Sequence, residues 1–381
     1  MCRGRSRDIM KYKKLTTKAF ISILSDETSD QLELLKKPIE PHGISDVKQG
    51  KLGTKSIFKL TPAKSQYLGR LNNKFFCHIQ VNNSAVAYVE KKSYLDMFEP
   101  HRKNTNFLRI DIKSFFHSIN REILAEALSP YVTNEIFFES GKVKQSLLDA
   151  LLNLVSLRVS TEYNDQSLHN KDILPIGFKS SPVISNIVFR RFDIIIQELC
   201  ARSDIIYTRY ADDMLFSSPE HSKYLHTNKF LSEISYTLSL SGFKLNQAKT
   251  IKDKNMISVN GYVIESGENG NSGSIRISEK KTKKIYKLIY MMENNIPPRT
   301  IINRIFKIRD RDIIYSYDKG KRKFKDKFYK TQTLNKLTGY RAYIISLLIY
   351  NEKYHCIKEE YINEYKTLIG KLEVQIYKLV K

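Results

Sequence analysis

Residues Ile205 to Ser217 constrain this chain more than any other stretch. Two apolar runs rich in β-formers, Ile205–Tyr210 and Met214–Phe216, flank Ala211-Asp212-Asp213. The pattern predicts a β-hairpin whose tip carries adjacent carboxylates. Neighbouring side chains of a strand point to opposite faces, so two consecutive Asp residues serve one site only where the backbone bends. Taken alone, the pair reads as an ordinary exposed acidic turn. A chemical site needs contributions from elsewhere in the chain.

Upstream, Phe107-Leu108-Arg109-Ile110-Asp111-Ile112 is an apolar run containing one carboxylate near its end, followed by Lys113-Ser114-Phe115-Phe116-His117. An Asp in such a run is costly to bury unless it is paired or holds a cation. Asp111, Asp212 and Asp213 together would make an all-oxygen site. Hard oxygen ligands suit Mg²⁺, which takes one or two carboxylates and completes its shell with water and phosphate oxygens. Such a site serves in-line phosphoryl transfer, with one ion activating the attacking oxygen and the other stabilising the leaving one.

The order of these segments resembles the motifs of reverse transcriptases. Asp111-Ile-Lys-Ser-Phe-Phe116 resembles motif A, Leu174-Pro-Ile-Gly-Phe-Lys-Ser-Ser-Pro182 motif B, and Tyr210-Ala-Asp-Asp213 motif C. Gly242-Phe-Lys-Leu-Asn-Gln-Ala-Lys249 is similar to motif D, and Asn260-Gly-Tyr-Val263 to the primer-grip hairpin of motif E. The resemblance implies an α+β right-hand polymerase with fingers, an antiparallel-sheet palm and an all-α thumb. The expected division is an N-terminal extension and connection over 1–56, part of the fingers over 57–105, palm with interleaved fingers elements over 106–265, and a basic helical thumb with an extension over 266–381.

By the same resemblance, Asp111 and Asp212 hold two Mg²⁺ ions, or Mn²⁺ in their place, with Asp213 assisting and Ile112 in the metal set. Lys249 is the expected general acid for the pyrophosphate leaving group, with a surface lysine contacting phosphate as the alternative. Phe116, Ile176, Gly177, Lys179 and Tyr210 are the expected nucleotide contacts. Phe116 would lie beneath the sugar and exclude a 2′-hydroxyl, while Phe115 is core. Gly177 would let the backbone approach a ligand closely. Asn260, Gly261 and Tyr262 form the expected primer grip.

Two departures from the family pattern bear on subtype. Most reverse transcriptases carry Gln where this chain has Ile176, and apolar residues there occur among bacterial abortive-infection and defence-associated members. Retron enzymes usually show Thr at the Asn260 position and an Asn-Ala pair where Met97-Phe98 stands, which argues against a true retron. The expectation is a bacterial, cytoplasmic, defence-associated enzyme that uses deoxynucleotides to copy a noncoding RNA template into a DNA product. A second polymerase or an effector protein is a further expected partner. The alternatives are untemplated or protein-primed DNA synthesis, and a noncatalytic RNA-binding scaffold.

Composition supports a polyanion partner: Lys and Arg number 64 against 40 Asp and Glu. No apolar run approaches the ~18 residues that span a bilayer, and no secretory signal opens the chain, so no membrane partner is expected. Cys2, Cys77, Cys200 and Cys356 show no C-x-x-C pairing, which argues against zinc and disulfides. Basic residues Arg3 to Lys14 suggest an RNA-contacting arm or a solvated face.

The remaining expectations are local. Residues 26–56 read as a connection, and Phe75–Val81 and Ala85–Val89 as strands. Arg70, Lys74, Lys91 and Lys92 stand where fingers present cations to a triphosphate, and His101 reads as structural. Asn120 should cap a helix, Val143–Leu157 should be helical, and Ser160–Asp172 a loop. Helices are expected after Ser180-Ser181-Pro182 and over Phe230–Leu240. Beyond residue 275 the chain should be helical, with a break at Pro297-Pro298 and buried helix over Tyr343–Tyr350. Lys319–Lys325 reads as an exposed loop, in which Lys321, Arg322, Lys323 and Lys325 would contact nucleic acid. Nearby Tyr315, Tyr317, Phe324, Phe328 and Tyr329 read as core, with stacking on unpaired bases as the alternative.

Overall fold

The computed structural model describes residues 14–25, 36–267, 271–310 and 321–380. The chain divides into two compact units, Met1–Met97 with Leu108–Lys252, and Phe98–Phe107 with Asp253–Lys381. Both mix helices with antiparallel strands, an α+β protein.

In the first unit, α1 (Thr17–Leu24) begins where the Thr16 hydroxyl accepts the Ala19 N–H, and it buries Phe20, Ile21 and Leu24. β1 (Val47–Leu52) and β2 (Lys55–Leu60) form an antiparallel hairpin about Gly53, whose φ is +61°. The expected connection over 26–56 is therefore corrected from Val47 onward, and the expected boundary at 56/57 falls inside this hairpin. The strand signal is weak because the buried face of β2 carries Ser56 and Phe58 between exposed Lys55 and Lys59. α2 (Pro62–Lys74) starts with Pro at its first position and is followed by a 3₁₀ turn over Phe76–His78. The strands expected over 75–81 and 85–89 do not form. The Asn82 carboxamide takes the Ser84 N–H and turns the chain, leaving Ala85 only an isolated bridge to Arg209.

After β3 (Asn106–Asp111) comes α3 (Arg121–Leu128), capped as expected by Asn120, whose Oδ1 accepts the Ile123 N–H at 2.9 Å. The helix expected from Val143 starts at Leu147 instead. β4 (Ile136–Ser140) and β5 (Val143–Ser146) form a hairpin about Gly141, and the Ser146 hydroxyl then caps α4 (Leu147–Val155). The loop between β6 (Leu157–Arg158) and β7 (Asp172–Ile173) is interrupted by one 3₁₀ turn over Gln166–Leu168. α5 (Ser181–Ala201) begins at the predicted Ser-Ser-Pro, although neither serine makes a side-chain cap.

β8 (Ile206–Tyr210) and β9 (Asp213–Ser218) pair with Tyr210 opposite Asp213, so Ala211 and Asp212 are the two-residue tip. α6 (Asn228–Ser239) and β10 (Ile251–Lys254) follow, and the central sheet has the order β10-β3-β9-β8. Behind it lies a core in which Phe115, Phe189, Phe192 and Phe243 pack with ring centroids 5.1–6.0 Å apart. Each buried Phe of this kind contributes about 2–3 kcal/mol. The cluster gives the carboxylate-bearing strands a rigid backing.

In the second unit, β11 (Met256–Val259), β12 (Tyr262–Glu265) and β13 (Ser274–Ile277) form an antiparallel sheet. α7 (Glu279–Glu293), α8 (Pro298–Phe306), α9 (Lys321–Tyr354) and α10 (Glu359–Val380) follow, with the predicted break at Pro297-Pro298. Lys321–Lys325 is the first turn of α9 rather than a loop, because Lys and Arg favour helix as readily as solvated coil. Tyr329 is core at 1% exposure while Phe324 is 47% exposed. Within Tyr343–Tyr350, Ile344 and Leu347 are buried and Ile349 is exposed. Arg3, Arg5, Arg7, Lys11, Lys13, Tyr315, Tyr317, Lys319 and Gly320 lie outside the described residues, as do the side chains of Lys321, Arg322 and Lys323.

Arg102 ties this unit together, donating to the carbonyls of Gly273, Tyr354 and His355 at 2.7, 3.0 and 2.9 Å. His101 beside it is fully buried, and burial pushes its pKa down to about 3. A neutral imidazole enclosed in this way is the structural histidine expected from the sequence.

Candidate active site

The ends of β3 and the β8–β9 turn meet at a cavity of about 330 Å³ in the first unit. Asp111, Ile112, Phe116, Ile176, Asp212 and Lys249 line it, together with Lys55 from β2. The Ile112 N–H donates to the Asp212 carbonyl at 3.1 Å, which fixes motif A against motif C. Asp111 is buried, and its carboxylate accepts from Asn246 Nδ2 at 2.9 Å and from Lys249 Nζ at 3.0 Å.

Asp212 faces the cavity with Lys55 Nζ 3.5 Å away. Burial holds its carboxyl above the usual range, Lys55 opposes that shift, and the charges of Asp213 and Asp111 add to it. Asp213 is placed differently. Its Oδ1 accepts from Arg109 Nε at 3.0 Å and Nη2 at 2.6 Å, and it is not among the cavity-lining residues. Among the described residues no three His, Cys, Asp or Glu side chains converge into a metal-holding group. The expected three-carboxylate cluster is thus two carboxylates on the cavity and a third held by an arginine. Two adjacent Asp residues diverge here because Asp212 is in the turn and Asp213 already in the strand.

Phe116 is half-buried on the cavity wall and Phe115 is core, as the pattern implied. Gly177 has φ +111°, and a Cβ there would stand 2.5 Å from the Phe58 carbonyl oxygen. The close approach that requires glycine in this structure is to β2. Lys179 is exposed and lies along α2 near Gly69, away from the cavity lining. Tyr210 packs edge-on against Tyr94 at 4.5 Å and is likewise outside the lining.

The cations expected of the fingers are elsewhere. Arg70 donates to the Leu24 carbonyl, Lys92 to the carbonyls of Asn83 and Ala85 at 3.0 and 3.2 Å, Lys91 borders a different cavity, and Lys74 a third. Lys55 is the cation that sequence reasoning missed. The signal available was Leu52-Gly53-Thr54-Lys55, a turn between two Lys-rich strands.

In the second unit, Asn260 and Gly261 form the β11–β12 turn with φ +49° and +94°. The Gly261 carbonyl accepts from Tyr343 Oη at 3.0 Å, and Tyr262 is buried with its ring 4.7 Å from that of Tyr343. Lys281 Nζ sits 3.6 Å above the Tyr343 ring.

Residues 55–264 match the family model described as reverse transcriptase (RNA-dependent DNA polymerase), more than half of the chain. The chain belongs to the reverse transcriptase family. It is 29% identical over 188 residues to the retron Ec83 reverse transcriptase of Escherichia coli, covering 49% of this chain and 56% of that one. To the E. coli retron Ec73 reverse transcriptase it is 30% identical over 191 residues, with the same coverage. The chain thus spans about half the length of the curated relatives it matches. Both of these relatives are retron enzymes. A telomerase from Candida albicans, solved with a fragment of telomeric RNA, aligns over 90% of this chain and 64% of its own at 11% identity and a TM-score of 0.42.

Proposed function

We propose that this chain is an RNA-directed DNA polymerase acting in bacterial antiphage defence, and that it copies a noncoding RNA. The observation that carries the polymerase reading is the convergence of Asp111 and Asp212 on a cavity walled by Phe116 and reached by Lys55. The donor set fits a divalent cation. Burial and the nearby charges of Asp213 and Asp111 raise the cost of ionising Asp212, and a hard cation with oxygen preference relieves it. Asp111 and Asp212 would hold Mg²⁺, with Ile112 beside them in the cavity lining. When bound, the metal supplies charge neutralisation at the α-phosphate and acidifies the attacking hydroxyl.

The chain's own residues do the rest. Lys55 offers a cation to the triphosphate at the cavity mouth, and Phe116 fills the space a 2′-hydroxyl would need. Lys249 balances Asp111 in the protein without substrate and becomes available to the leaving group once the carboxylate is otherwise engaged. Arg109 fixes Asp213 so that its charge acts through space on the site. Positioning and electrostatics of this kind carry phosphoryl transfer. The second unit, with its Asn260-Gly261-Tyr262 turn and basic helices, would serve as primer grip and thumb. The defence role rests on similarity to retron enzymes and on Ile176.

The test is incorporation of deoxynucleotides on an RNA template by the wild type and by Asp212→Asn, followed by sequencing of co-purified RNA and DNA. Complementary DNA in the wild type alone supports the reading. DNA unrelated to bound RNA would favour untemplated synthesis, for which the apolar Ile176 is the motivating feature. Absence of any Mg²⁺-dependent incorporation would leave an RNA-binding scaffold. Loss of phage restriction in Asp212→Asn would support the defence role.

A further inference from the structure

Behind the Ala211-Asp212 turn lies a fully buried charged network that the catalytic reading does not use. Arg209 and Asp193 both have 0% exposure. Arg209 Nε donates to Asp193 Oδ1 at 2.9 Å and Nη2 to Oδ2 at 2.7 Å, a bidentate pair. Tyr207 Oη donates to the same carboxylate at 2.8 Å, and the guanidinium lies 4.5 Å above the Phe189 ring. The remaining nitrogen, Nη1, donates to Asn186 Oδ1 and to the Ala211 carbonyl, both at 3.1 Å. Asn186 in turn donates to the Ala87 carbonyl at 2.7 Å.

Two physical arguments bear on what this network is for. A buried ion pair is a poor way to gain stability, since apolar residues of similar volume in its place are often as stable or more so. Ala211, moreover, has φ +56°, a left-handed conformation that costs a residue with a Cβ about 1 kcal/mol or more. The single side-chain contact that reaches this residue's carbonyl among the described hydrogen bonds comes from Arg209. The next residue is Asp212.

We propose that Arg209, anchored by Asp193 and Asn186 of α5, is the positioning residue of the catalytic turn. By holding the Ala211 carbonyl it fixes the direction in which Asp212 enters the cavity, and so sets divalent-metal affinity and rate without touching metal or substrate. The inference rests on the reading of Asp111 and Asp212 as the metal-holding pair.

The experiment compares the wild type with Arg209→Lys, which keeps a cation beside Asp193 but loses the fork to Ala211. A second variant, Arg209→Met with Asp193→Leu, removes the pair without leaving a lone buried charge. Four quantities are read: melting temperature, Mn²⁺ affinity of the substrate-free protein by electron paramagnetic resonance, kcat, and KM for template–primer. The expected result is a melting temperature within a few degrees of wild type for the double variant, Mn²⁺ affinity about tenfold weaker and kcat about 100-fold lower. KM for template–primer should stay within about twofold, and Ala211→Gly added to Arg209→Lys should raise the melting temperature without restoring kcat.

A folded double variant with wild-type Mn²⁺ affinity and kcat overturns the proposal. So does rescue of kcat by Ala211→Gly, which would make the role one of stability alone. Failure of both variants to fold also overturns it, because the pair would then be required for the core and not for the turn. Absence of Mg²⁺-dependent incorporation by the wild type would instead strike the polymerase reading, and the Mn²⁺ comparison separates the two failures.

Discussion

Of the β-hairpins that close through two-residue turns, β8–β9 and β11–β12 solve the same backbone problem in opposite ways. The β11–β12 turn uses Asn260 and Gly261, the residue types that accept positive φ at both positions. Its conformation is written into its own sequence. The β8–β9 turn places Ala211 at φ +56°, a residue with no local reason to be there. Its conformation is imposed by Arg209 from beneath and by the pairing of Ile112 with Asp212 from the side. A turn that serves as a support can be autonomous, whereas a turn that aims a carboxylate is held by its surroundings.

The largest effect that sharpens this contrast is expected from Asp212→Asn. Incorporation should fall by at least about 10³-fold while the fold and RNA binding persist. The stability arm has a defined sign. Burial raises the folded carboxyl's pKa, so the folded state binds the proton more tightly than the unfolded one. The metal-free fold is therefore penalised at neutral pH, and the penalty lifts as pH falls through the raised pKa. Asp212→Asn should melt a degree or two higher than wild type at pH 7, roughly, with the gap closing in acid. A lower melting temperature for the variant at pH 7 would show the carboxylate to be a stabilising element.

Next in size is Asp213→Asn, which leaves the Arg109 fork without its charge partner. A loss of about 10² in kcat is expected, with KM for deoxynucleotide little changed. Equal losses from the two Asp variants would erase the distinction between a carboxylate on the cavity and one beside it. In the other turn, Gly261→Ala should destabilise the protein by about 2 kcal/mol. Its Cβ would meet Lys281 Cδ at 2.8 Å at a φ of +94°. Chemical denaturation measures it, and a neutral result would mean the turn is not set by its own residues. The smallest effect is Ala211→Gly in the otherwise native protein, a gain of about 0.5–1 kcal/mol with kcat within about threefold.

The same contrast explains what the sequence disclosed. The Asn120 cap, the Pro297-Pro298 break and the Asn260-Gly261 turn depend on a few adjacent residues and were read correctly. The Asp212 hairpin was legible because its flanks carry strand composition on both sides. What failed depended on partners distant in sequence. β1 and the first two residues of β2 fall in the expected connection over 26–56 because the buried face of β2 is half polar, and Lys55 was missed with them. Phe75–Val81 and Ala85–Val89 have strand composition, yet a 3₁₀ turn over Phe76–His78 takes up the first and the Asn82 carboxamide, bonded to the Ser84 N–H, turns the chain before the second. The divergence of Asp212 and Asp213 followed from the register of one strand pair, which no spacing rule reports.

The glycine at 177 has a mechanical meaning. The Phe58 N–H donates to the Ile176 carbonyl at 2.8 Å, and Gly177 makes room for the Phe58 carbonyl. The hairpin that carries Lys55 is thereby joined through backbone to the loop that carries Ile176, and both residues line the cavity. Under the proposed function, a nucleotide would enter a slot whose two sides are already joined by backbone contacts.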